Sequence, residues 1–172
     1  MDKMQVEKKR KVIYKVHIFD RQDVVKVPRG IRLDLRRVCH AILQSEHFDY
    51  SAEVNIVFVD NMHIQSLNKQ YRGKDMPTDT LSFPSGENEY EINKETGAKI
   101  LGDIILSIEK AQEESEIEHS SIKGKLLFWT AHSLLHLLGY DHEKSKRDDI
   151  FMRERAEQVM SSIGYPHWNC RA

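Results

Sequence analysis

The segment from Ile122 to Leu138 constrains this chain more than any other. It is the most apolar stretch of helical length among the 172 residues, and it runs directly into Gly139. Within it His132 and His136 stand four residues apart, so on a helix they share one face, one turn from each other. Leu134, Leu135, Leu137 and Leu138 give the remaining faces apolar bulk, which buries such a helix. Glycine adopts the left-handed conformation without a Cβ penalty, so the chain can reverse at Gly139 and bring His142 back toward the other two histidines. Three neutral imidazoles leave a tetrahedral zinc one open position for water, the layout of a catalytic site and not of a closed structural one. Such an ion lowers the pKa of its water to about 7. The expectation is one divalent ion, zinc first, with nickel also suited to imidazole, used for metal-assisted hydrolysis. The remaining histidines, at 17, 40, 47, 63, 119 and 167, are scattered and read as surface or core residues.

The rest of the chain is ordinary for a globular protein. Hydrophobic residues make up 40% and charged residues 31%, a balance that excludes a disordered chain. The net charge of -1 argues against coating nucleic acid by bulk charge but leaves room for a local basic groove. No apolar run reaches the roughly 20 residues of a membrane span. No signal-like stretch follows the first residues, so export is not expected. Cys39 and Cys170 form no framework, so no disulfide partner is expected and a reducing cytoplasm suits the chain.

Residues 1–11, with Lys8-Lys9-Arg10-Lys11, read as a basic N-terminal extension, and residues 12–172 as a single metal-hydrolase domain. Periodicity predicts a strand over Val12–Phe19, then a break at Pro28-Arg29-Gly30. A helix follows with Ile31, Leu35, Val38 and Ile42 inward, then a strand over Val54–Val59. Asp60 or Asn61 caps a helix whose apolar face is Ile64, Leu67 and Tyr71. Arg72 to Asp79 reads as a polar loop, Leu81–Pro84 as a short extended piece, and Ser85 to Lys99 as a loop or hairpin. A strand follows over Leu101–Leu106, with helices over Glu109–Glu118, Ile122–Leu138 and Lys146–Ile163. This order predicts an α+β fold, a single domain with helices packed on a small mixed β-sheet.

Two further segments carry chemistry. In Arg72-Gly73-Lys74-Asp75-Met76-Pro77-Thr78-Asp79-Thr80-Leu81-Ser82-Phe83-Pro84, Arg72 and Lys74 supply positive charge, and arginine can grip a phosphate with a bidentate fork. Thr78 and Ser82 add hydroxyls, and Phe83 can stack on a base; turn chemistry and a core phenylalanine explain the same residues. Asp103, an acid inside an apolar strand, reads as a partner orienting a ligand histidine, as a base near the metal's water, or as a strand-end residue facing solvent. The histidine spacing also occurs in metzincin proteases, where a glutamate after the first histidine is the general base. Here Ser133 stands in its place, and a hydroxyl is far too weak a base at neutral pH.

The segments Asn68–Pro84, Leu101-Gly102-Asp103-Ile104 and Thr130–His142, in this order and at about this spacing, resemble the YbeY family of metal-dependent endoribonucleases. The first fifty residues and the last twenty are merely compatible with it, and the N-terminus is longer than typical. The resemblance implies that His132, His136 and His142 are zinc ligands and that Arg72 is a cleft arginine important for activity. It implies a cytoplasmic, single-strand-specific RNase acting in 16S rRNA 3′ end maturation and ribosome quality control. Its partners would be single-stranded RNA and the small ribosomal subunit with its assembly factors. The residues alone leave two alternatives open. One is a zinc-dependent peptidase or amidohydrolase taking its carboxylate base from Asp103 or Glu143. The other is a non-enzymatic ribosome-assembly factor with a structural metal.

Overall fold

The computed structural model describes residues 10–140 and 145–165. Strand β1 (Tyr14–Asp20) leads to helix α1 (Ile31–Ser45), β2 (Ala52–Val59) and α2 (Asn61–Arg72). Strands β3 (Thr80–Pro84), β4 (Glu91–Ile92) and β5 (Lys99–Ser107) follow, then α3 (Ile108–Glu118), α4 (Ile122–Leu137) and α5 (Lys146–Ser162). The sheet order is β1-β2-β5-β3, with β4 pairing β5. β1, β2 and β5 run parallel, while β3 and β4 are antiparallel to β5. The expected α+β domain with a small mixed sheet is therefore observed. Of the expected basic extension only Arg10 and Lys11 fall among the described residues.

The two faces of the sheet are unequal. Val16, Ile18, Val54, Ile56, Phe58, Ile104 and Leu106 point to one face and share the main core with α1, α4 and α5. The other face is covered by α2 through a smaller cluster of Val59, Ile64, Leu81 and Ile105. The predicted inward residues of α1, Ile31, Leu35, Val38 and Ile42, are all buried. Asp60 caps α2 as expected, its carboxylate accepting from the His63 backbone N–H at 2.8 Å. Tyr71 departs from the expectation: it is 60% exposed. The last turn of α2 lies beside the edge strand, so the ring meets Phe83 at 5.0 Å between centroids instead of entering the core.

A bulge fixes how β5 presents its side chains. Glu53 pairs with Ile100 while Val54 pairs with Gly102, so Leu101 is the extra residue. Gly102 has φ 141, and a Cβ built on it would lie 2.1 Å from the Phe83 carbonyl oxygen. Only glycine allows this close approach of β3 to β5. The bulge places Leu101 in the main core together with Ile104 and Leu106. Asp103 consequently turns to the α2 face.

Candidate active site

Helix α4 begins at Ser121, whose hydroxyl accepts from the Gly124 N–H at 3.2 Å. It is buried on nearly all sides, with His132 and His136 only half-buried. Its end is a Schellman motif. The Tyr140 N–H donates to the Leu135 carbonyl at 3.1 Å and the Gly139 N–H to the His136 carbonyl at 2.9 Å, with Gly139 at φ 105. The predicted helix end at Gly139 is thus present; the path on to His142 lies outside the described residues. The last turn of a helix carries partial negative charge from its terminal carbonyls, which favours a cation near His136.

The rings of His132 and His136 stand 5.0 Å apart between centroids and nearly perpendicular, at 84°. Two imidazoles sharing one tetrahedral ion at metal–nitrogen distances of about 2.0–2.1 Å have centroids about 5 Å apart. His136 Nδ1 lies 3.0 Å from the Tyr140 carbonyl oxygen. A carbonyl can only accept, so Nδ1 carries the proton and Nε2 keeps the lone pair that a metal needs. The donor set therefore fits a zinc-like ion. His142, the expected third ligand, lies outside the described residues, and among those no group of three or more His, Cys, Asp or Glu is placed to hold an ion.

Both histidines open into a cleft of about 640 Å³. Its walls include Arg72 and Tyr71 from the end of α2, Thr78 from the following loop, and Ser82 and Phe83 of β3. The structure thus brings Arg72, Thr78, Ser82 and Phe83 to the same groove as His132 and His136. Two residues of the expected set are placed elsewhere. Lys74 is exposed on the outer part of the 72–79 loop and does not line the groove. Asp103 does not line the groove either: it pairs with Phe83 in register and accepts from Asn55 Nδ2 at 2.8 Å.

Three residues outside the expected site set also shape it. Ser133 is buried beneath the groove, its hydroxyl 3.1 Å from that of Thr80, tying α4 to the edge strand. Asp79 caps the start of β3: its carboxylate accepts from the Thr80 N–H at 2.6 Å and from the Thr78 hydroxyl at 3.3 Å. An Asp before Thr at a strand start was the available signal. Tyr140 lies just behind the histidines, and the Glu46 carboxylate accepts its hydroxyl proton at 2.7 Å. That hydrogen bond, then burial, raises the Tyr140 phenol above its ordinary pKa.

Fold and groove define a small α+β hydrolase with paired imidazoles and an arginine at an open sheet edge. Comparisons with known proteins agree. The profile of the Endoribonuclease YbeY family matches residues 17–164. An Endoribonuclease YbeY of Thermoanaerobacter sp. (strain X514) is 42% identical over 155 residues, covering 85% of this chain and 95% of that protein. One from Agathobacter rectalis is 36% identical over 156 residues, covering 81% and 94%. One from Clostridium botulinum is 36% identical over 163 residues, covering 86% and 97%. Among solved structures, the solution structure of TM1509 from Thermotoga maritima matches with a TM-score of 0.54 at 25% identity, over 86% of this chain and 91% of that one. The chain belongs to the Endoribonuclease YbeY family, and its class is hydrolytic, an endoribonuclease. The family match begins at residue 17, well ahead of the motifs that carried the resemblance. No helix among the described residues is long and apolar enough to cross a membrane.

Proposed function

We propose that this chain is a metal-dependent, single-strand-specific endoribonuclease that trims the 3′ end of 16S rRNA and takes part in ribosome quality control. In this reading it works in the cytoplasm on the small ribosomal subunit and alongside its assembly factors. One observation carries the chemistry: an imidazole pair and an arginine face the same groove across an open strand edge. His132 and His136, with His142 from beyond the turn, would hold one divalent ion, zinc by the donor set. When bound, that ion supplies Lewis-acid charge and an acidified water near neutral pH.

The chain's own residues do the rest. Arg72 grips the scissile phosphate with its guanidinium and stabilises charge developing on the phosphoryl oxygens. Thr78 and Ser82 bind the sugar-phosphate backbone along β3. Phe83, with Tyr71 packed edge-on at 5.0 Å, offers an aromatic wall for an unstacked base, which a duplex cannot present. Lys74 adds long-range attraction from outside the groove. Asp103, outside the groove lining and held by Asn55, takes no part in the chemistry.

The test uses wild type, His136→Ala and Arg72→Ala, purified identically and given single-stranded and duplex RNA. His136→Ala loses both zinc and cleavage. Arg72→Ala keeps zinc and loses cleavage about a hundred- to a thousandfold. Cleavage by His136→Ala at the wild-type rate would assign the activity to a contaminant. Unimpaired Arg72→Ala would remove the arginine from the mechanism.

A further inference from the structure

The groove explains what His132 and His136 face, but not what holds His136 from behind. The Tyr140 carbonyl does so, accepting from Nδ1 at 3.0 Å. Tyr140 is itself clamped. Its hydroxyl donates to Glu46 Oε2 at 2.7 Å, at the end of α1, 94 residues away in sequence. Arg155 of α5 donates from Nε to Glu46 Oε1 at 2.7 Å and from Nη2 to the Ser45 carbonyl at 3.1 Å. The Phe151 ring of α5 lies 5.9 Å from the Tyr140 ring. The Glu46 side chain is only 13% exposed, so both of its charge-assisted bonds sit largely out of water, where they are strong.

We propose that Glu46 and Arg155 are positioning residues for the metal centre: through Tyr140 they fix the tautomer and tilt of His136. This rests on the metal-binding reading of His136. The physical reason is geometric. A ring nitrogen binds an ion well only when the ring is aimed and the other nitrogen holds the proton, and the group behind the ring sets both. Here that group is a main-chain carbonyl past a helix end, where the backbone frays easily. Two helices far apart in sequence pin it through the Tyr140 hydroxyl, which Glu46 holds while Arg155 holds Glu46.

Tyr140→Phe removes one hydroxyl and keeps the ring against Phe151; Glu46→Gln keeps the acceptor but loses the charge that holds Arg155. Zinc affinity is measured by competition with a chromogenic chelator for wild type, both variants and His136→Ala. The tautomer of His136 is read in the metal-free proteins from imidazole nitrogen-15 shifts. Tyr140→Phe and Glu46→Gln should each weaken zinc about tenfold or more and move His136 from a single Nδ1–H tautomer toward a mixture, with the fold's circular dichroism unchanged. Wild-type zinc affinity together with an unmoved tautomer in Tyr140→Phe overturns the proposal while His136→Ala still loses the ion. Unchanged zinc binding in His136→Ala overturns the metal reading as well, and is distinguishable because the tautomer is scored without metal.

Discussion

Ser133→Ala separates two roles for the residue that follows His132. In a metzincin-like reading the side chain at this position is the general base, and removing it costs about a hundred- to ten-thousandfold in turnover. The structure gives it different work. Ser133 is 1% exposed, and its hydroxyl meets that of Thr80 at 3.1 Å, bracing β3 against α4. Losing one such neutral hydrogen bond costs about 0.5–1.5 kcal/mol net. Thr80 is half-buried, so its orphaned hydroxyl partly recovers water and keeps the loss within that range. For a chain of this size 1 kcal/mol moves Tm by about 2–4 °C, so a drop of about 1–6 °C is expected. Cleavage of single-stranded RNA should stay within about tenfold of wild type, since no proton transfer is lost. Calorimetry and initial rates on one preparation give both numbers. Thr80→Val should cost a similar amount, and the double variant less than the two together, because each hydroxyl serves the other. A fall in kcat of a hundredfold or more at unchanged Tm and zinc content would refute the brace and restore a chemical role to Ser133.

Further outcomes follow from the fold around the site. Gly102→Ala would force a Cβ to within 2.1 Å of the Phe83 carbonyl at φ 141; a cost of about 3–5 kcal/mol, or at least about 6 °C in Tm, is expected, and a shift under about 2 °C would contradict the close approach. Asp34 joins the starts of α1 and α4 to the segment after α5. Burial works against its carboxylate, but the hydrogen bonds from Lys123 and Tyr165, with the charges of Lys123 and Arg37, outweigh it and hold its pKa below the ordinary value. A depressed carboxylate contributes stability above its unfolded pKa of about 3.9 and loses it as pH falls through the folded pKa. Asp34→Asn should therefore melt about 5 °C below wild type at pH 7, with the gap closing in scans below about pH 4; a gap independent of pH would show that the charge is irrelevant.

How much of this was legible in the sequence depended on the range of the interaction. Helix α4, its histidine face and its end at Gly139 were legible because each is set within one or two turns of chain. The inward residues of α1 and the cap at Asp60 were legible for the same reason. The face of Asp103 was not. Simple alternation puts Asp103 on the same face as Leu101, hence toward the main core, and the bulge at Leu101 reverses that. A bulge of this kind is set by how β2 and β5 register, which no local pattern encodes. Tyr71 kept the helical period of Ile64 and Leu67, yet the sheet ends beneath it, so the period continues where the core does not. The Glu46–Tyr140–Arg155 clamp was illegible altogether, because its members lie 94 and 109 residues from Glu46.

The two edges of the sheet differ in a way that supports the groove as the proposed substrate site. An edge strand offers backbone groups to any passing chain, and proteins blunt such edges. On β1 two of the outward carbonyls are covered from α1: Arg32 Nη1 donates to the Ile18 carbonyl at 2.7 Å, and His40 Nε2 lies 3.2 Å from that of Tyr14. On β3 the devices are local. The strand is five residues long, Pro84 has no N–H, and Asp79 takes up the N–H of Thr80. The bonds from Ser107 N–H to the Asp79 carbonyl and from Ser85 N–H to the Leu101 carbonyl fix the alternation along β3. Leu81 and Phe83 turn their backbone groups to β5, and Ser82 turns its own outward. The Ser82 N–H is thus the backbone donor that β3 still presents, in the wall shared with Arg72, His132 and His136. A further protein strand would need alternating donors and acceptors along the whole edge, which β3 cannot offer. A phosphate oxygen needs one N–H beside a cation, and that is what this edge retains. The same blunting that guards against strand addition therefore favours a nucleic-acid backbone as the occupant, and supports Ser82 as a contact to it.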